Sequence, residues 1–142
     1  MEVLALEGNS NCGKSETLNI VYQMLLSDGF TQIAGNFAVL GNPKMRDFTD
    51  VLTKENKIIG IVTQGDYVIG KDSIAKHLNK LFLAGCSVAI CACTNNNPKA
   101  KLQVMKYTPN TFFIKNPTYT TSVESLERVL NNIIATQIFN AI

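Results

Sequence analysis

The stretch Gly8-Asn9-Ser10-Asn11-Cys12-Gly13-Lys14-Ser15 decides the fold of this chain. It fits G-x-x-x-x-G-K-[ST] at every fixed position. Such a pattern carries weight only between a strand and a helix. Both flanks have that character. Met1-Glu2-Val3-Leu4-Ala5-Leu6-Glu7 is a short apolar run of strand type. From Ser15 a helix is predicted over residues 15–27, with Leu18, Val21, Tyr22 and Leu25 at i, i+3, i+4 and i+7. Asp28-Gly29 ends it.

The residue types in this stretch suit anion binding. Gly8 and Gly13 permit backbone angles and close approaches that a Cβ forbids. The amides of Asn9, Ser10, Asn11 and Cys12 can turn inward as a nest, and the positive end of the following helix adds to it at Lys14, Ser15 and Glu16. Lys14 would reach the terminal phosphates as a point charge. Ser15 would offer a hydroxyl to Mg²⁺, a hard cation that takes a few protein oxygens beside phosphate and water. In these residues the chain resembles the P-loop NTPase superfamily. The resemblance implies a nucleoside triphosphate bound on Gly8–Glu16 with Mg²⁺, and Lys14 as a catalytic cation. It also implies a three-layer α/β fold, its mostly parallel sheet carrying helices on both faces.

The remaining pattern agrees with one domain over residues 1–142. The composition, 46% hydrophobic and 17% charged, is that of a globular chain with a real core. A net charge of +2 gives no argument for nucleic acid or a membrane surface. No apolar run approaches the ~20 residues of a membrane span. The N-terminal residues lack the pattern of a signal peptide. Cys12, Cys86, Cys91 and Cys93 have no metal-binding spacing with His. They read as reduced thiols of a cytoplasmic chain, Cys91 and Cys93 on one side of a buried strand.

Ile33, Phe37, Val39 and Leu40 suggest one or two short strands broken at Gly35-Asn36, and Lys44–Asp47 a polar, mobile loop. Residues 48–53 and 57–63 form the one expected antiparallel hairpin, around Lys54-Glu55-Asn56. The run Ile58–Val62 is apolar throughout, as in a strand buried on both faces. A helix is predicted after Asp72 as N-cap, burying Ile74, Leu78, Leu81 and Phe82 and leaving His77 on its polar side. Residues 87–92 make the next buried strand, 98–107 a short helix and 111–115 a last strand. Thr121-x-x-Glu124 is a capping box for a closing helix with the stripe Val123, Leu126, Leu130, Ile133, Ile134 and Ile138.

Ligands of parallel sheets bind at the carboxyl ends of strands. Besides the first loop, this points to residues 63–66, 94–97 and 115–118. The strand ending at Thr63 is the expected neighbour of the first strand. In P-loop NTPases that neighbour ends in a metal-holding acid. Here Thr63-Gln64 stand at the end, and Asp66 is the first acid. Asp66 either joins Ser15 at the metal, with a catalytic role beside Lys14, or only caps its turn. Small GTPases of the Ras type are similar in their hairpin, but their D-x-x-G and N-K-x-D motifs are absent. ATP is therefore the default nucleotide and GTP the less favoured one. Arg46 either swings over a γ-phosphate or is a solvated surface residue. Arg128 reads as solvated, Lys71 and Lys99 stay open, and Gln64 is a candidate for orienting water. Three functions fit: a Mg²⁺-dependent ATPase or nucleotide switch acting through a protein partner, a kinase with a small-molecule or nucleotide acceptor, and a non-catalytic nucleotide-binding module. The scarcity of arginine counts against the kinase.

Overall fold

The computed structural model describes residues 1–10, 12–116 and 124–142. Among these residues, seven strands form one mixed sheet: β1 (Glu2–Gly8), β2 (Thr31–Gln32), β3 (Ala38–Leu40), β4 (Asp47–Lys54), β5 (Lys57–Val62), β6 (Val88–Thr94) and β7 (Asn110–Lys115). Four helices among the described residues accompany them: α1 (Lys14–Ser27), α2 (Ile74–Leu83), α3 (Pro98–Met105) and α4 (Glu124–Asn140). A 3-10 turn at Pro43–Met45 stands where a polar loop is expected.

The strand order is β2-β4-β5-β6-β1-β7, with β3 also paired to β4. β5, β6, β1 and β7 are mutually parallel, and β4 runs against its neighbours. The expected hairpin is β4–β5, in register from Thr49↔Val62 to Lys54↔Lys57. One expectation fails here. The strand ending near Thr63 does not lie beside β1, because β6 stands between them, with Leu4↔Ile90 on one side and Ile61↔Ile90 on the other. β6 is buried along its whole length, as a strand covered on both faces must be.

Alternation along β1 sorts the core into two layers. Leu4 and Leu6 pack with Leu18, Val21 and Leu25 of α1 and with Ala135 and Ile138 of α4. Val3 and Ala5 pack with Ile74, Leu78 and Leu81 of α2 and with Ala100 and Val104 of α3. Cys91 and Cys93 share this second layer, as expected for one side of a strand. Burial pushes the Cys93 thiol up to about 11 and Cys91 further in the same direction.

The predicted α1 stripe is the observed one. The other helices depart from prediction in detail. Ser73, not Asp72, caps α2 by accepting a hydrogen bond from the Lys76 amide. Phe82 is exposed and His77 is buried, the reverse of expectation. Among the described residues of α4, Asn131, Ala135 and Ile138 are buried, whereas Leu126 and Ile133 face outward. The helix is apolar on several sides, so periodicity alone picks no face. Val123 and the Thr121 cap lie outside the described residues.

A buried polar network ties α1 to the sheet. Asp50 of β4 is fully buried. It accepts hydrogen bonds from Tyr22 Oη at 2.7 Å, Gln32 Nε2 at 2.9 Å and the Val51 amide at 2.8 Å. Burial and the neighbouring Asp50 push the Tyr22 hydroxyl up to about 12, so it stays a donor. Tyr22→Phe removes one donor from a carboxylate that water cannot reach. The expected cost is about 1–3 kcal/mol, read as a lower urea midpoint at unchanged slope.

Candidate functional site

The site is assembled at the carboxyl ends of β1, β5 and β6. Gly13 is the N-cap of α1 at φ 89°, a left-handed conformation that favours glycine. As a glycine it brings no side chain to cap this helix. The leading N–H groups of a helix lack intrahelical partners, and the helix dipole adds positive potential there. Gly8 is tightly enclosed: a Cβ on it would stand 2.7 Å from Cys12 Sγ and from the Lys115 carbonyl oxygen.

Lys14 is only 5% exposed. Its ammonium donates to the carbonyl oxygens of Gly8 at 3.0 Å and Asn9 at 2.7 Å, and lies 3.7 Å from Asp66 Oδ1. Asp66 is itself well exposed at the cleft rim. The loop is braced from β6 as well. The Asn95 amide donates to the Gly8 carbonyl at 3.1 Å, and Asn96 Nδ2 donates to Ser10 Oγ at 2.9 Å. Asn11 lies outside the described residues.

Asp47 is a site residue that sequence reasoning missed. Ser15 Oγ donates to Asp47 Oδ1 at 2.6 Å, and Thr63 Oγ1 donates to the same oxygen at 3.0 Å. The Phe48 amide in turn donates to Thr63 Oγ1 at 2.9 Å, which fixes the hydroxyl's direction. Asp47 opens β4 and is buried. The hairpin itself held the signal: counted back from the Glu55-Asn56 turn, the register brings the start of β4 beside the end of β5.

Asp66 reaches Lys14 from a segment whose Gly65 lies directly against β6. A Cβ there would overlap the carbonyl of Ala92, and the Thr94 amide donates to the Gly65 carbonyl at 2.9 Å. β6, inserted between β1 and β5, is thus what the segment carrying Asp66 rests on.

A cleft of about 800 Å³ opens over this cluster. Ser15, Glu16, Asn19 and Ile20 of α1 line it, with Asp47, Asp66 and Thr63. Lys44 and Arg46 approach from the 3-10 turn, and Arg128 and Asn131 from α4. Arg46 has a φ of 56°, uncommon for a residue with a side chain. The Arg128 side chain is 78% exposed and pairs with Glu124, so its solvated reading holds. Lys71 and Lys99 are exposed and are not in the cleft lining. A more open, mostly apolar groove along α1, lined by Met24 and Phe139, lacks any such cluster of charge.

The donor set fits Mg²⁺ in chemistry. One hydroxyl and two carboxylates are hard oxygen donors, and this cation keeps most of its shell for water and phosphate. No cluster of three or more His, Cys, Asp or Glu suited to a metal occurs among the described residues, so no all-protein cage is on offer.

Gln64 is buried, and its Oε1 accepts from His77 Nε2 at 3.1 Å, in the tautomer with the proton on Nε2. Its carbonyl oxygen is therefore tied to α2. Burial pulls the His77 pKa below its ordinary value, against the opposing charge of Asp72. An unfolded His77 takes up its proton near pH 6.5, before the folded one does. Its contribution to stability is thus complete above pH 6.5 and is lost as pH falls below it, by at most about 1.4 kcal/mol per pH unit. Urea unfolding of the wild type and His77→Asn between pH 7.5 and 5.5 should show the steeper loss in the wild type.

No family model, curated protein or solved structure matches the chain.

Proposed function

We propose that this chain is a P-loop nucleoside-triphosphate-binding protein that hydrolyses ATP with Mg²⁺, as an ATPase or nucleotide switch. One observation carries the reading. A buried lysine and a serine hydroxyl bonded to a buried carboxylate stand together at the start of a helix whose N-cap is a glycine. This is the chemistry that a phosphate chain and its cation require. On this reading the α/β architecture is a three-layer P-loop NTPase-like fold. Its four free thiols, three of them buried, suit the reducing cytoplasm.

The roles follow from the contacts. Lys14 exchanges the Gly8 and Asn9 carbonyls for phosphate oxygens. The amides of the loop and of the first turn of α1 take up the remaining charge. Ser15 and Asp47 would hold Mg²⁺, with Asp66 lining the same cleft at its solvent edge. Bound there, Mg²⁺ would supply charge neutralisation for the terminal phosphates. On this reading Asp66 also orients a water. Arg46 extends from the rim with no ion-pair or hydrogen-bond partner for its side chain among the described residues, which leaves it free to meet a γ-phosphate.

A second reading draws on that rim. Lys44 and Arg46 form a basic edge separate from Lys14, which would suit an anionic acceptor and hence a kinase.

The test is binding and phosphate release with Mg²⁺ and ATP or GTP, alone and with candidate acceptors. The wild type should bind ATP and release phosphate without an acceptor. Lys14→Ala should lose turnover by about a hundredfold or more while staying folded. Asp47→Asn should abolish the gain in affinity that Mg²⁺ gives, and leave metal-free ATP binding in place. Phosphate transfer only in the presence of an acceptor favours the kinase, and binding without turnover favours a non-catalytic module. A folded wild type that binds neither nucleotide contradicts the proposal.

A further inference from the structure

Lys115 ends β7, on the opposite side of β1 from the acids, and β1 and β7 bring it level with Gly8. The residue is 4% exposed. Its side chain runs to Gly13: Cε lies 3.5 Å and Nζ 3.9 Å from where a Cβ on that residue would stand. Asn131 Oδ1 lies 3.8 Å from the same point. Among the described residues the ammonium has neither a carboxylate in ion-pair range nor a hydrogen-bond acceptor.

The stem is buried, yet no buried side-chain nitrogen or oxygen among the described residues lacks a partner, so the unpaired ammonium at its end meets solvent beside the loop. Lys14, equally buried on the same loop, has two carbonyls and a carboxylate. Lys115 has none of these, and it adjoins the start of a helix whose own field is positive. Two like potentials side by side are unfavourable until an anion lies between them.

We propose that Lys115 is a second phosphate-binding cation, which grips the nucleoside-proximal part of the phosphate chain at Gly13. This rests on the nucleotide reading above and deepens it. Ser15, Asp47 and Asp66 gather on the β5 side of the loop, where the terminal phosphate and its metal belong. Lys115 enters from the β7 side. A chain of phosphates held at both places lies across the start of α1. Lys115 then contacts a phosphate that ADP still has.

Lys115→Met tests this, since methionine keeps the length of the side chain to Cε and removes only the ammonium. Thermal unfolding without ligand, and ATP and ADP affinity in EDTA, are measured beside the wild type. The metal-free condition takes Ser15 and Asp47 out of the comparison. The expected variant unfolds at or above the wild-type temperature and binds both ATP and ADP about ten- to a hundredfold more weakly. Unchanged affinities overturn the proposal. So does a loss confined to ATP, which would place the contact at the terminal phosphate. A variant that loses stability together with binding shows a structural lysine and also overturns it. A wild type that binds neither ATP nor ADP is a different failure: it removes the nucleotide reading, and this inference with it.

Discussion

The organisation of the molecule follows from one requirement, that the Lys14 ammonium be held out of water. A buried ammonium must be met by oxygen atoms. The loop meets this need with its own backbone, through Gly8 and Asn9, and with Asp66 at the open side. Each of these has a further support in the fold. Gly8 ends β1 and accepts the Asn95 amide from the loop after β6. Asp66 follows Gly65, whose backbone lies directly on that of β6. The central strand of the sheet thus sets the distance between the lysine and its acid.

The second support is the contact of α1 with β4. It is made twice, at the helix start by Ser15 and Asp47, and two turns later by Tyr22 and Asp50. Both acids belong to β4, the strand that runs against its neighbours. Its antiparallel course places an amino-terminal residue, Asp47, level with the carboxyl end of β5. An acid supplied in this way stands beside Thr63, where β5 itself ends without one. The contact between Thr63 and Asp47 keeps that strand end within the same hydrogen-bonded cluster.

Local features were legible in the chain. The flanked loop, the α1 stripe and the β4–β5 hairpin rest on short-range periodicity and turn chemistry, and all three are in the structure. The order of strands was not legible. Whether β5 or β6 adjoins β1 is settled by pairing between distant segments, and both strands are similarly apolar. The burial of His77 is invisible in its helix pattern, because its partner Gln64 comes from the segment after β5. Asp47 closes a polar run that reads as loop, although the hairpin register contains its position. The face of α4 was misread because its apolar residues surround the helix, while polar Asn131 is buried with Thr17 as its hydrogen-bond partner.

The central claim is that Gly8–Ser15 and Asp47 hold a phosphate chain and its Mg²⁺. Its most direct measurement is a crystal structure of the protein grown with Mg²⁺ and a non-hydrolysable ATP analogue. The account predicts phosphates on the amides of the loop and the start of α1, with Lys14 turned onto them from the Gly8 and Asn9 carbonyls. It predicts the metal on Ser15 Oγ, with Asp47 in its shell directly or through water. An occupied nucleotide elsewhere in the molecule, or a metal that ignores both Ser15 and Asp47, would contradict it.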